Sequence, residues 1–386
     1  MDMKKNIIIY RKQLLRKTET FIVSQVKNYT QFNAVLCGEN YLDESYPLDD
    51  MQHQVFVEPS SSRVSSIFAK VRQRLGIVSK EVHRKLKDIS PCLIHAHTGF
   101  DGVIAWPYAK KMGIPLVVSL HGQCTTTHKK DFFKGRLGFW NRFYPLQLLM
   151  LSRKKNVYFL AVSEAIKETA IAFGIPEEKI SVFYSGIQLE NFPMSKVPMK
   201  DRPNRVVFIA RLIEFKGCTY LIDAFKNVLK HLPDSELVII GEGPLRQELE
   251  RQAAPIQSNV QFLGLRTHAE IAEILSKAKI FCLPSITLPN GNYETFGVVA
   301  VEAQAAGVPV VTSARGAKES VIDGVTGFVF SEKDVPRLSE ILIELLGNPE
   351  MAEEMGKAAA THAHETFGAA VCTEKIENFY NDILKK

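Results

Sequence analysis

Residues 293–311 read Tyr-Glu-Thr-Phe-Gly-Val-Val-Ala-Val-Glu-Ala-Gln-Ala-Ala-Gly-Val-Pro-Val-Val, with Glu294 and Glu302 eight residues apart around Phe296-Gly297 and Gly307-Val308-Pro309 closing the segment. This is the pattern of a loop that feeds the N-terminus of a helix, one acid just outside that end and the other two turns further in. A helix over that interval separates the acids by roughly 12 Å at about 1.5 Å per residue. That is close to the distance between the two sugars of a nucleotide-sugar, measured across its diphosphate. The helix end between them offers free N–H groups and the positive end of the dipole, and Gly297 lets a ligand approach the backbone. The chemistry implied is that of a phosphorylated sugar.

On either side of this segment, short β-branched runs alternate with helical patterns, which predicts parallel sheets with helices on both faces. Expected strands in the first half are Asn6–Tyr10, Ala34–Cys37, Gln54–Val57, Cys92–His95, Leu116–Ser119, Tyr158–Val162 and Ile180–Phe183. The second half offers Arg205–Ala210, Glu236–Gly241, Val260–Leu263, Ile280–Leu283 and Val308–Thr312. A length of 386 residues exceeds one ordinary core. The polar, Pro-bearing stretch Met194–Asn204 precedes a fresh strand, so the expected fold is α/β, with two Rossmann-like domains, 1–200 and 201–370, facing each other across a cleft.

Hydrophobic residues make up 46% and charged residues 23%, the balance of a globular chain. No apolar run reaches the ~20 residues that cross a bilayer, and the N-terminus has no long apolar region or small-residue cleavage site, so a cytosolic protein is expected. Six cysteines occur without Cys-x-x-Cys spacing and read as reduced core thiols. The charge is uneven: residues 1–200 hold 29 Lys and Arg against 17 acids (+12), and residues 201–386 hold 19 against 25 (−6). The first half is the one suited to an anionic surface or substrate.

Individual residues sharpen this. Arg211 and Lys216 follow the strand Arg205–Ala210, beyond the carboxyl end where open α/β sheets bind ligands, and suit a diphosphate. Glu302 stands in an otherwise apolar helix face, which ordinary dipole complementation does not explain. His121 before Gly122 would project from a strand end into the cleft. His95 and His97 fall on one strand face near Cys92, but nothing is spaced to supply a third and fourth ligand, so no metal is expected. Gly241-Glu242-Gly243-Pro244 lacks the third glycine of a dinucleotide loop, and Pro244 reads as a first helical residue. Two basic, apolar stretches, Ser65–Lys87 and Lys129–Lys155, are candidates for peripheral contact with an anionic membrane, and nothing suggests nucleic acid.

Glu294-Thr295-Phe296-Gly297 through Glu302-Ala303 resembles the E-x7-E signature of the family 4 retaining glycosyltransferases, and Arg211 with Lys216-Gly217 is similar to that family's phosphate-gripping Arg and Lys. Ser119-Leu120-His121-Gly122, Ala161-Val162-Ser163-Glu164 and Val182-Phe183-Tyr184-Ser185-Gly186-Ile187 match further family segments in the same order. The resemblance implies the two-domain arrangement called GT-B, with the last helix, about 371–386, crossing back to the first domain. It implies a nucleotide-sugar donor, UDP-sugar favoured and GDP-sugar the alternative, held by Arg211, Lys216, Gly243, Leu265, Glu294, Thr295, Phe296, Gly297, Val298 and Glu302. Glu294 would meet donor-sugar hydroxyls, Glu302 the ribose, and His121 the sugar near the reacting carbon; His121, Arg211, Lys216 and Glu294 are the implied catalytic set. No bound cofactor or metal is implied. Thr18, Thr20, His97, Gly122 and Ser163 are the acceptor-side candidates, toward a glycan or lipid-linked glycan.

Two features depart from the family. The loop after the first strand, from Arg11 to Phe21, has no paired glycines, and its Thr-Glu-Thr-Phe resembles a subgroup that builds bacterial surface polysaccharides. Ser185 stands where Asn is frequent. An epimerase or phosphorylase on a similar fold, or a non-catalytic nucleotide-sugar-binding subunit, are the other classes this sequence admits.

Overall fold

The chain's first strand, Lys5–Tyr10 (β1), carries Ile7, Ile8, Ile9 and Tyr10 in succession, all at 0% exposure. A strand with side chains alternating between faces buries such a run only if both faces are covered. Ile8 and Tyr10 enter one core with Leu86, Ala105, Leu148 and Ile166, and Ile7 and Ile9 enter another with Ile22, Ile376 and Tyr380. Each such side chain contributes on the order of 2 kcal/mol by burial. A computed structural model describes residues 4–14, 19–41, 51–55, 77–121, 123–127, 129–135, 138, 141–289, 291, 293–294, 296–313 and 318–385. They form two units, Met1–Gly186 with Cys372–Lys386, and Ile187–Val371.

In the first unit β1 is followed by β2 (Phe32–Gly38), β3 (His53–Val55), β4 (Leu93–Ala96), β5 (Leu116–Leu120), β6 (Val157–Ala161) and β7 (Ile180–Val182). They pair in the order β3-β2-β1-β4-β5-β6-β7, every ladder parallel, with Ile7 opposite Ala34 on one side and Leu93 on the other. The helices Lys80–Ile89, Gly99–Met112, Tyr144–Ser152 and Glu164–Phe173 cover one face, and Thr20–Asn28 and the last helix, Ala369–Leu384, the other. Glu377 of that last helix accepts the N–H groups of Thr30, Gln31 and Phe32 at 3.0, 2.7 and 3.2 Å and the Thr30 hydroxyl at 2.9 Å. A short parallel ladder joins Gln13–Leu14 to Asn40–Tyr41.

The second unit repeats the plan with β8 (Arg205–Ile209), β9 (Glu236–Ile240), β10 (Val260–Gly264), β11 (Ile280–Leu283), β12 (Val310–Thr312) and β13 (Gly327–Val329), ordered β10-β9-β8-β11-β12-β13 and again parallel. In both sheets the strand order reverses beside the unit's own first strand, between β1 and β4 and between β8 and β11. In doubly wound sheets that is where ligands bind, beyond the carboxyl ends.

Every strand expected from the sequence is present with ends moved by at most two residues, although residues 56 and 57 lie outside the described ones. β13 was not expected: three residues beginning with glycine carry no pattern. The division between units falls at Gly186/Ile187, not near residue 200. Residues 187–200 are held in the second unit by long-range bonds: Ile187 exchanges backbone hydrogen bonds with Phe367 and Ala369 (both 2.9 Å), Ser195 Oγ donates to Ser276 O at 2.7 Å, and Met199 N donates to Glu353 at 2.7 Å. Helix Val298–Ala305 starts four residues after Glu294, so only part of the interval between the two acids is helical, and Glu302 is one turn in instead of two. Pro244 lies in a turn; the helix after it is Arg246–Ala253, because Arg246 N first closes on Gly243 O at 3.1 Å.

Candidate active site

At the β8–β11 switch point two loops are stitched together. The loop after β8 makes one 3-10 turn, Glu214–Lys216, and ends at Gly217 with φ +72°, from which helix Cys218–His231 begins. A Cβ on Gly217 would stand 1.9 Å from Pro284 O, so a side chain there is excluded by the backbone leaving β11. Ile286 N donates to Phe215 O at 2.8 Å across the same seam. This docking carries Lys216 to Glu294, 78 residues away in sequence, and their side chains form an ion pair with 17% and 9% exposure. Arg211, by contrast, is exposed, and its guanidinium makes no hydrogen bond or ion pair with any described residue.

Beyond Glu294, Phe296 is buried edge-on against Phe367, with ring centroids 5.6 Å apart. Gly297, at φ +71°, is the N-cap of helix Val298–Ala305 and supplies no side-chain cap, so that helix end keeps N–H groups for an anion. Glu302 is 7% exposed and its carboxyl bonds to no described residue; burial pushes that carboxyl up to about 7. Gly243 holds the β9 loop against the β8 loop: Leu212 N donates to Glu242 O at 2.9 Å, and a Cβ on Gly243 would lie 2.3 Å from Leu212 O. Val298 is exposed at the helix start. Leu265 follows the edge strand β10, two strands from β8, and is 73% exposed. Thr295 lies outside the described residues.

The β1–β4 switch point of the first unit carries imidazoles. His95, at the end of β4, is fully buried with both nitrogens engaged: Nδ1 with Tyr380 OH at 2.6 Å and Nε2 with Ser119 Oγ at 2.7 Å. Its neutral form is enforced by burial, which lowers its pKa to about 3, and hydroxyls occupy the nitrogens a metal would need. His97 stacks on His95 at 4.3 Å and lies 6.0 Å from His121, nearly parallel to it. Both nitrogens of His97 and Nε2 of His121 are buried without a partner. Burial, reinforced by neighbouring imidazoles and Arg11, holds His97 well below its usual value; burial and then Arg11 take His121 to about 4. His97, His121, Ser119, Phe21, Ser185 and Thr373 are among the residues lining a pocket there.

Several residues at this end were not singled out by sequence. Arg11, directly after β1, bridges Asp101 and Glu19, and Asp101 also accepts Lys12 N at 3.0 Å and Thr98 Oγ1 at 2.7 Å. For Arg11 the only sequence signal was its position after a strand. Phe21 packs on His121 at 4.9 Å between ring centroids. In the second unit Ser285, two residues after β11, is buried with its hydroxyl unpartnered. One acceptor-side candidate is corrected: Ser163 is fully buried and caps helix Glu164–Phe173 by accepting Ile166 N at 3.1 Å. Thr20 heads helix Thr20–Asn28; Thr18 and Gly122 lie outside the described residues. Of the basic stretches, helix Lys80–Ile89 turns Val82, Leu86 and Ile89 into the core and leaves Lys80, Arg84 and Lys87 exposed, so it is an ordinary core-facing helix; residues 65–76 lie outside the described ones.

Residues 45–191 match the family described as Glycosyltransferase Family 4, and residues 191–362 match Glycosyl transferases group 1. The chain is 36% identical over 170 residues to a GDP-mannose-dependent monoacylated alpha-(1-6)-phosphatidylinositol monomannoside mannosyltransferase of Corynebacterium glutamicum, covering 44% of this chain and 45% of the relative. It is 34% identical over 194 residues to the amylovoran biosynthesis glycosyltransferase AmsK of Erwinia amylovora, covering 50% and 48%. The matches thus span about half the length of these two curated relatives. Among solved structures, Anabaena Alr3699/HepE in complex with UDP has the same fold, with a TM-score of 0.76, 21% identity, and coverage of 98% of this chain and 100% of that one. Among the described residues no helix is long and apolar enough to cross a membrane.

Proposed function

We propose, given that the chain belongs to the family 4 glycosyltransferases, that it moves a sugar from a nucleotide-sugar to a glycan acceptor, with retention of anomeric configuration, in the building of a bacterial surface polysaccharide or glycolipid. The observation that carries this reading is the seam at the β8–β11 switch point. There Arg211, without a side-chain partner among the described residues, follows β8, the Lys216–Glu294 pair joins the two loops, and Gly297 leaves the start of helix Val298–Ala305 without a side-chain cap, the kind of position where a diphosphate binds. Arg211, Lys216 and that helix end would stabilise charge growing on the departing diphosphate, the term that usually dominates such catalysis. Glu294, oriented by Lys216, would accept hydroxyls of the donor sugar, and the buried Glu302 those of the ribose. Held in its ion pair, Glu294 is a receptor and not a nucleophile.

The reaction that fits is a same-face substitution. The bond from the sugar's anomeric carbon to the phosphate oxygen breaks, that carbon bonds to the acceptor oxygen, and the acceptor's proton passes to the departing phosphate. None of these steps calls on a metal. The neutral His121 would hydrogen-bond the sugar, and His97 an acceptor hydroxyl. UDP is the nucleotide proposed and GDP the alternative; a UDP complex and a GDP-mannose-dependent enzyme both occur among the similar proteins. Thermal stabilisation by a panel of UDP-, GDP- and ADP-sugars tests the donor site. Stabilisation by one nucleotide class, lost in Arg211→Ala/Lys216→Ala, is expected; no response to any donor would overturn the reading.

A further inference from the structure

A relay of side-chain hydrogen bonds runs through the first unit from helix Thr20–Asn28, by way of the last helix, to β5. Gln25 Nε2 donates to Tyr29 OH at 2.6 Å, and Tyr29 OH lies 3.0 Å from Tyr380 OH. Tyr380 OH meets His95 Nδ1 at 2.6 Å, and His95 Nε2 meets Ser119 Oγ at 2.7 Å. Tyr29, Tyr380, His95 and Ser119 are all buried, so water cannot complete any link that the side chains leave open. The relay ends at a pocket: Ser119 lines it, together with His97, His121, Phe21, Ser185 and Thr373.

Each link carries one proton, so fixing the direction at one end fixes it throughout. An amide nitrogen only donates, so the Tyr29 oxygen accepts from Gln25. If Tyr380 also donated to Tyr29, the Tyr29 proton would be buried with no acceptor, the costly arrangement for a donor. Tyr29 therefore donates to Tyr380, and Tyr380 to His95 Nδ1. The neutral His95 then carries its proton on Nε2 and donates to Ser119 Oγ. The Ser119 proton is the one left over, and it stands at the pocket where both nitrogens of His97 and Nε2 of His121 are buried without a partner among the described residues. No Asp, Glu, Lys or Arg is among the described residues lining that pocket. Polar groups without charge in a buried setting suit a neutral hydroxyl and penalise an ionised oxygen.

We infer that Ser119 binds substrate as a hydrogen-bond donor to an uncharged hydroxyl in this pocket, and that Tyr380 is the positioning residue that keeps it a donor by fixing the proton of His95. That the hydroxyl belongs to a sugar rests on the proposed function; the direction of the relay does not. The direction is tested without any ligand, on the full chain labelled with ¹⁵N-histidine, where couplings to the ring nitrogens show which of them holds the proton. The His95 signal, identified as the one that changes in Tyr380→Phe, should be that of the Nε2–H tautomer. The Nδ1–H tautomer would overturn the inference, because Ser119 would then spend its proton on His95; so would the absence of any change in Tyr380→Phe. Binding is tested by turnover of the nucleotide-sugar that stabilises the protein. Ser119→Ala should lower kcat/KM about fivefold, the loss of one hydrogen bond, and Ser119→Thr, which keeps a hydroxyl, should recover most of it. Activity of Ser119→Ala equal to the parent's, or a loss that follows unfolding temperature and is not recovered by Ser119→Thr, would make the relay scaffold alone. If no nucleotide-sugar stabilises the protein, the proposed function fails and the sugar with it, while the His95 tautomer still decides the direction of the relay.

Discussion

The two sheets share a strand order and a switch point, yet place opposite chemistry there. Beside β8 and β11 the second unit sets a guanidinium without a partner among the described residues, an ion pair and a buried carboxyl. Beside β1 and β4 the first unit sets stacked imidazoles that burial keeps neutral, and the nearby cation Arg11 is already neutralised by Asp101 and Glu19. Identical topology therefore yields one end whose charges suit an anion and one whose neutral imidazoles suit uncharged hydroxyls, in line with the proposed function. The fold supplies the position, and the residues after each strand supply the function.

The comparison breaks most readily at the charged end. Arg211→Ala should lower kcat/KM by about 10²–10³, the size of effect seen when a group stabilising transition-state charge is removed. Lys216→Ala should do the same and also leave Glu294 without its cation. Lys216→Arg retains charge but not the compact ammonium, and should recover only part. Steady-state kinetics with the donor that stabilises the protein checks all three. If Arg211→Ala changed KM alone, its charge would act in ground-state binding and not on the leaving group.

At the neutral end the expected loss is smaller. His121→Ala should cost about 10–100-fold in kcat/KM, the loss of hydrogen bonds to one substrate group, while His121→Gln, also neutral and able to donate, should retain more. Because burial takes His121 to about 4 and His97 well below its usual value, no imidazole ionisation should appear in the pH–rate profile between pH 5.5 and 8. An inflection near 6.5 that vanished in His121→Ala would make this end a charged one, and the contrast between the units would fail.

How far the sequence revealed this division varies by residue. Strands buried on both faces leave continuous runs such as Ile7-Ile8-Ile9 and Val206-Val207-Phe208, so nearly the whole sheet framework could be read directly. β13 could not, because three residues with a glycine have no period. Nor could residues 187–200, whose allegiance is set by backbone bonds to Phe367 and Ala369 and a side-chain bond to Ser276. Arg211, Lys216, Glu294 and Glu302 stood out by spacing and family resemblance, and the structure brings Lys216 and Glu294 together. The His95-x-His97 pair was harder. Ser119 and Tyr380, the latter 285 residues further on, together show that His95 is a structural link with both nitrogens spent.

The units should also answer pH in opposite directions. His95 and His121 have folded pKa values of about 3 and 4, below the usual 6.5, so the unfolded chain binds more protons between those limits. Their contribution to the first unit is present above pH 6.5 and is lost as pH falls toward 4. Glu302, raised to about 7 by burial, does the reverse: its contribution is present below the unfolded value of 4.5 and is lost as pH rises through 7. Glu302→Gln removes that cost, at most about 3 kcal/mol. It should therefore raise the unfolding temperature of the second unit by several degrees at pH 8 and hardly at pH 5, while weakening nucleotide binding. Destabilisation at pH 8 would mean that the carboxylate has a partner, and that this end is balanced in the absence of a ligand.

The smallest effect separates scaffold from site within the first unit. Ser163 occupies the position after β6 that a ligand-facing residue would take, yet its hydroxyl is fully buried and accepts Ile166 N at 3.1 Å. That bond satisfies one of the N–H groups a helix start leaves open, and Glu164 beside it complements the dipole. Ser163→Ala should consequently cost about 1 kcal/mol of stability, leaving KM for both substrates unchanged. Ser163→Asp, which can still cap but must bury a charge, should lose more, whereas at an exposed cap it would be neutral. Chemical denaturation of the three proteins, set against their KM values, reads this directly. A rise in acceptor KM for Ser163→Ala without loss of stability would move Ser163 from the scaffold into the site and extend the neutral end by one strand, to β6.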